Sequence, residues 1–176
     1  ADERIDKVEE FLAEGGIASY VKYLNKSKPL VFEPPVYMRG EHQGIVVELS
    51  FIYNDSYNET IMSYTNNIHT EEGGTHEAGL KAAYTKVFNS YISKHNLMKD
   101  KITLTGEDIR EGMLAVLSIR MTDPVFEGQT KTKLGSSSAR TAVENVINAN
   151  LTDYLEENPT VVKRILEKSI QAYRAR

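Results

Sequence analysis

The sequence predicts an α+β domain, and three observations carry that prediction. Ile45, Val47, Leu49, Phe51 and Tyr53 share one face of a strand by strict alternation. Residues 113–121 are apolar on both faces over most of their length, as in a central strand covered on both sides. Three further stretches carry apolar stripes at helical spacing: Leu80 to Tyr91, Ala139 to Tyr154, and Val162 to Tyr173. Strand patterns and helix patterns are segregated along the chain, which argues for α+β.

The 176 residues are enough for one domain, and 40% apolar content supports a sizeable core. The net charge of −4 excludes nucleic-acid binding by bulk charge, so any such contact needs a local basic patch. The absence of cysteine excludes disulfides and thiolate metal sites, and it suits a cytoplasmic protein. No apolar run reaches membrane-spanning length and no signal peptide is visible, so no membrane partner is expected. The chain starts at Ala1 and stops on a helical pattern, which suggests a piece excised from a longer protein.

Taken in order, residues 1–14 place Ile5, Val8 and Leu12 at helical spacing behind an acidic start, and are expected to be helical or disordered. Gly15-Gly16 resets the chain. Ile17, Tyr20, Val21 and Leu24 form a short amphipathic helix, stopped by Asn25 and Pro29. Val36-Tyr37-Met38 is extended, and a turn is expected over residues 40–44. The alternating strand follows, then a turn at Asn54-Asp55-Ser56 and a return strand over 59–66, antiparallel to the first. A polar stretch, 67–74, leads into a long helix over about 75–95, which Thr75 can cap. Ile102-Thr103-Leu104 reads as a short strand. Thr105-Gly106-Glu107-Asp108 reads as a capping box opening one helical turn, which Gly112 ends. After the central strand and a basic loop come two helices, the second with Asn158 as cap and Pro159 at its first position.

The candidate chemistry lies in the basic loop. Gln129-Thr130-Lys131-Thr132-Lys133-Leu134-Gly135 offers hydroxyls, an amide and two ammonium groups, with no apolar side chain before Leu134. The following helix start adds unpaired backbone N–H groups, so the loop is suited to an anion. By itself the pattern more often describes a solvated basic loop that binds nothing. His69, His76 and Glu77 invite a metal or acid–base reading, but the two histidines do not share a helix face and no further His or Cys is near. A loop shaped by Gly73-Gly74 is the preferred reading, with no metal site. Asp108, Arg110 and Glu111 are explained by capping and surface pairing. No Walker A run and no dinucleotide fingerprint is present.

Several runs resemble one family in its own order along the chain. They are Asp123-Pro124-Val125-Phe126-Glu127-Gly128 with the basic loop, Tyr64-Thr65-Asn66-Asn67-Ile68-His69-Thr70, and Glu72-Gly73-Gly74-Thr75-His76-Glu77. Gly106-Glu107-Asp108-Ile109-Arg110-Glu111-Gly112, Glu157-Asn158-Pro159 and the closing Ala172-Tyr173-Arg174-Ala175-Arg176 also fit. Together they are similar to the transducer domain of the ATPase subunit of bacterial type II topoisomerases. The gyrase branch is the nearer match and the topoisomerase IV branch the next.

The resemblance implies a four-stranded mixed sheet backed by helices, like the second domain of a small-subunit ribosomal protein, with a left-handed βαβ crossover and long C-terminal helices. It implies that residues 15–176 are the transducer domain and that residues 1–14 are a remnant of the preceding ATPase domain. Lys131 and Gln129 are then expected to contact the ATP γ-phosphate of that neighbouring domain, and Lys133 to be a surface lysine. Lys81 and Lys86 are expected to border a cavity holding double-stranded DNA, against the plainer reading of a solvated helix face. The expected cofactor is ATP, with Mg2+ bound outside these residues. The expected partners are the chain's own ATPase domain, a second copy of the same chain in a homodimer, the gyrase A protein and DNA. The resemblance places the catalytic residues elsewhere, so the chain alone is expected to be inactive within an ATP-hydrolysing topoisomerase that supercoils DNA. A free-standing small enzyme or a plain interaction module are the competing readings.

Overall fold

A computed structural model describes residues 8, 10–13, 15–98 and 102–175. Five strands form one mixed sheet in the order β1-β2-β5-β3-β4. They are β1 (Val36–His42), β2 (Ile45–Tyr53), β3 (Thr60–Thr65), β4 (Ile68–His69) and β5 (Met113–Arg120). The helices are α1 (Ile17–Asn25), α2 (Thr75–Lys94), α3 (Gly106–Arg110), α4 (Ser137–Glu157) and α5 (Pro159–Ala175). No helix among the described residues is long and apolar enough to cross a membrane.

The α+β class holds, but the sheet has five strands where the resemblance implies four. The extra strand is the two-residue β4, which folds back on β3 through Tyr64↔His69 and Thr65↔Ile68. Asn66 and Asn67 make that turn possible, both adopting positive φ, at 50° and 65°. Such a pairing is too short to leave an alternating pattern.

β3 runs antiparallel to β2 as expected, yet the two are not paired. β5 lies between them, antiparallel to β2 and parallel to β3. This explains why β5 is apolar on both faces. Its Met113, Ala115, Leu117 and Ile119 join the larger core beneath α2, α4 and α5. Leu114 and Val116 face the opposite way, into a smaller core with Ile17, Tyr20 and Val21 of α1. The five alternating residues of β2 all enter the larger core.

Three local expectations fail. Gly40 lies within β1, and the turn comes later, at Gln43 and Gly44. A Cβ on Gly40 would stand 2.9 Å from Cγ1 of Val146, so this glycine serves close packing of β1 against α4. Residues 102–104 form no strand. Leu104 is buried in the core as irregular chain, and packing fixes it without a ladder. Arg110 is not a surface partner: it is buried, and its Nε donates to Glu59 at 2.7 Å. The capping box at Thr105 and Asp108 forms as expected, and Pro159 opens α5.

Of the first fourteen residues, 1–7, 9 and 14 lie outside the described residues. Residues 10–12 are helical, and Leu12 is fully buried in the smaller core. Arg120 at the end of β5 donates from Nη2 to the Leu12 carbonyl at 2.6 Å. The buried Glu48 carboxylate accepts from the Gly15 N–H at 3.1 Å and the Tyr37 hydroxyl at 2.6 Å.

Candidate functional site: a clasped loop with an exposed lysine

β5 ends at Arg120, and the chain leaves the sheet under tight control. The Asn66 side chain holds Met121 by both backbone groups, accepting from its N–H and donating to its carbonyl, each at 2.9 Å. Asp123 turns the chain with φ 53°. The loop then folds back on itself. The Glu127 N–H donates to the Lys133 carbonyl at 2.8 Å, and the Gly135 N–H to the Val125 carbonyl at 2.6 Å. Gly128, at φ 78° with open space around it, makes the bend at the tip.

The base of this loop is clasped by a segment more than fifty residues earlier in the chain, at Glu72 to Thr75. The Leu134 N–H donates to the Gly73 carbonyl at 3.0 Å, and the Leu134 carbonyl accepts from the Thr75 N–H at 3.0 Å. The Glu72 N–H donates to the Thr132 carbonyl at 2.8 Å, and the Thr132 hydroxyl donates to the Glu72 carboxylate. Gly74 has φ 131°, and a Cβ there would lie 2.2 Å from the Leu134 carbonyl oxygen. Only glycine fits. The Leu134 side chain is fully buried, pinning the clasp to the core.

Thr75 does not cap α2. Its hydroxyl donates instead to the Ser136 carbonyl at 2.6 Å, tying the start of α2 to the start of α4. The Ser136 hydroxyl accepts from the Val125 N–H at 2.8 Å, so α4 begins without a side-chain cap. The first turn of α4 therefore keeps its partial positive charge behind the loop.

The tip itself is open to solvent, held among the described residues only by a hydroxyl bond between Thr130 and Thr132 at 3.0 Å. Gln129, Thr130 and Lys131 are exposed. Lys133 pairs across the loop with Glu127 at 3.2 Å, as suits a surface lysine. Lys131 has no hydrogen-bond or ion-pair partner among the described residues. A rigid base thus presents one uncompensated ammonium and, two residues away, one amide.

Residues 16–176 match the family described as DNA gyrase B. The chain belongs to that family. It is 50% identical over 99% of its length to the DNA gyrase B subunit of Clostridium acetobutylicum, of which it spans 28%. A crystal structure of the 43K ATPase domain of Thermus thermophilus gyrase B, in complex with an aminocoumarin, is 40% identical, with TM-score 0.86 over 92% of this chain and 44% of that one. The topoisomerase IV ATP-binding domain of Francisella tularensis, solved with a small-molecule inhibitor, is 27% identical, with TM-score 0.77 over 93% of this chain and 44% of that one. The chain therefore spans less than half of each.

Within this gyrase B family member, the α2 lysines do not form one patch. Lys81 is half-buried and reaches back to Glu77 at 3.7 Å, while Lys86 is exposed. Five residues on a helix amount to a rotation of about 140°, so the two leave α2 in different directions.

The histidines part company too. His69 stacks on Tyr64 with ring centroids 5.0 Å apart. His76 is fully buried, its Nε2 bonded to the Thr70 hydroxyl at 2.9 Å. The Thr70 hydroxyl donates to the Ser63 carbonyl at 2.9 Å, so Nε2–H is the donor to Thr70. Nδ1 has no partner among the described residues, which favours a neutral ring. Among the described residues, no group of three His, Cys, Asp or Glu side chains is placed to hold a metal ion.

Burial lowers the His76 pKa to about 4. The unfolded chain, with an ordinary imidazole near 6.5, then binds the extra proton first as pH falls. The stabilisation is complete above about pH 6.5 and is lost progressively down to about pH 4, by roughly 3 kcal/mol. Urea titrations across that range are expected to show this loss, and His76→Gln to flatten it. Equal slopes for the two proteins would assign the acid sensitivity elsewhere.

Sequence reasoning missed the clasp. The Gly73-Gly74 pair was its visible signal, but nothing in the pattern names Leu134 as the partner.

Proposed function

We propose that residues 15–176 are the transducer domain of a DNA gyrase B protein, coupling ATP binding and hydrolysis in an adjacent ATPase domain to DNA strand passage and supercoiling. The observation that carries this reading is the clasped loop, with Lys131 exposed and unpaired at its tip beside Gln129. An ammonium and an amide on a rigid base fit the terminal phosphate of a nucleotide held by another domain.

Hydrolysis of the bound nucleotide removes the anion that Lys131 faces. Lys131 and Gln129 then lose their anchor, and the clasp carries the change to the sheet and to α2 and α4 as one body. The clasp matters because a loose tip would absorb the change locally. In this proposal residues 1–14 are the end of the ATPase domain and the β3–β5 crossover is left-handed. ATP and Mg2+ are held mainly outside the chain, and the partners are a second copy of the gyrase B protein, the gyrase A protein and duplex DNA. Lys81 and Lys86 border the DNA cavity from two directions.

A spin label at Thr130, in the full-length gyrase B protein, tests the reading. A non-hydrolysable ATP analogue is expected to immobilise the label, and ADP to leave it mobile. Identical spectra with both nucleotides would remove the loop from nucleotide sensing. The topoisomerase IV reading is the alternative; the higher identity to the gyrase structure, 40% against 27%, favours gyrase. Supercoiling, rather than decatenation alone, by the full-length protein reassembled with gyrase A separates them.

A further inference from the structure

A second cationic surface, apart from the loop tip, is built by the segment after α1 and by α5. A groove of about 530 Å³ is lined by Lys26, Ser27, Lys28, Glu33 and Arg164 over a floor of Leu30 to Phe32. Lys28 also lines a neighbouring recess of about 160 Å³, which holds Ser56 and Asn58. Tyr57, between those two residues, is 81% exposed, and Lys168 places its ammonium 5.6 Å from the ring centre. Arg164 and Lys168 are one helical turn apart on α5, so they share a face. Arg164, Lys26 and Lys28 thus line one groove, and Lys168, one turn from Arg164, carries the cationic path on to Tyr57.

The path is held from beneath. Asn25 and Asn54 are buried and bonded to each other, Nδ2 of Asn54 donating to Oδ1 of Asn25 at 3.0 Å. Asn25 donates in turn to the Lys28 carbonyl at 3.0 Å, and the Asp55 N–H donates to the Pro29 carbonyl at 3.2 Å. The Val31 N–H bonds the Tyr53 carbonyl at 2.8 Å. The lysines are therefore presented from a fixed backbone.

The charges are also uncompensated. None of the four is in an ion pair among the described residues, whereas Lys81, Lys94, Arg110, Lys133 and Arg140 all are. In the groove itself Lys26, Lys28 and Arg164 face one carboxylate, Glu33, a local excess of positive charge on a chain whose net charge is −4. Three like charges beside one acid repel one another, and among the described residues Arg164 is held only by donating from Nη1 to the Val31 carbonyl at 3.4 Å. Phosphates at regular spacing would relieve that repulsion. The exposed Tyr57 ring beside Lys168 supplies a flat apolar contact for a backbone sugar.

The geometry points to a binding site for the phosphodiester backbone of duplex DNA along Arg164, Lys26, Lys28 and Lys168, separate from the α2 lysines. The site reads no sequence, because its groups are charges on flexible stems that meet phosphates rather than base edges. It stands independently of the nucleotide-sensing reading, since none of its residues belongs to the clasp or the loop tip.

The test is anisotropy of a labelled duplex titrated with this chain over a series of salt concentrations. The triple variant Lys26→Gln, Lys28→Gln, Arg164→Gln removes three exposed charges and leaves the buried asparagine pair in place. It is expected to make the slope of log affinity against log salt shallower by roughly 2.7, about 0.9 for each phosphate no longer neutralised. Lys81→Gln with Lys86→Gln serves as the comparison from the other face. An unchanged slope in the triple variant, with an unchanged melting temperature, would overturn the proposal. So would a slope that falls only in the α2 pair. Binding of polyglutamate that the triple variant weakens as much as it weakens DNA would instead make the groove a site for an acidic protein, and the proposal would fail.

Discussion

Lys131→Ala in the full-length gyrase B protein is expected to abolish ATP-driven supercoiling while leaving the melting temperature of the chain unchanged. The side chain is exposed and unpartnered among the described residues, so its loss takes nothing away from the fold. Against a phosphate, however, a charge-assisted hydrogen bond is worth about 1.5–3 kcal/mol, and a preorganised donor more. The rate of the coupled reaction is then expected to fall by about two orders of magnitude. Lys133→Ala provides the contrast. Its ammonium is already engaged by Glu127 at 3.2 Å, so its loss is expected to leave supercoiling largely intact. Normal supercoiling by the Lys131→Ala protein would take this residue out of the mechanism.

The largest effect on stability is expected at Gly74→Ala. The added methyl would sit 2.2 Å from the Leu134 carbonyl oxygen and 2.5 Å from its nitrogen, at a φ of 131° that side chains rarely adopt. The backbone cannot give way without breaking both hydrogen bonds to Leu134. Strain of about 1–3 kcal/mol adds to roughly 1 kcal/mol for each bond. The buried Leu134 would also loosen, so a loss of about 4 kcal/mol is expected. For a domain of this size that lowers the melting temperature by roughly 8–16 °C. Calorimetry of the purified chain measures it. A shift below about 2 °C would mean that the clasp contributes little to the fold.

The two substitutions separate the parts of the site. One leaves the base and removes the charge; the other leaves the charge and frees the base. The position of the loop, its polarity and the exposure of Lys131 were legible in the sequence, because Gly128 and the hydroxyl-rich run announce a protruding turn. The clasp was not, because a parallel bridge between Gly74 and Leu134 joins segments far apart in the chain and leaves no periodic trace. For the same reason β2 was read correctly residue by residue while its neighbour was not. Alternation tells which face of a strand is buried, but pairing is decided by which other strand arrives beside it. Thr75 shows a further limit. A hydroxyl at a helix start suggests a cap, yet here the Ser136 carbonyl competes for it and wins. The apolar reading of β5 succeeded because burial on both faces is written directly in composition.

β5 is the middle of the sheet, but it comes nearly fifty residues after β3 ends. During synthesis β1 and β2 emerge as one ribbon and β3 and β4 as another, with nothing between them. Each ribbon carries an open row of amides and carbonyls until residues 113–120 slide in. Assembly of this sheet is thus a late, non-local event, of the kind that slows folding. A chain cut short before Met113 would leave two bare edges able to recruit a neighbouring molecule in place of the missing strand.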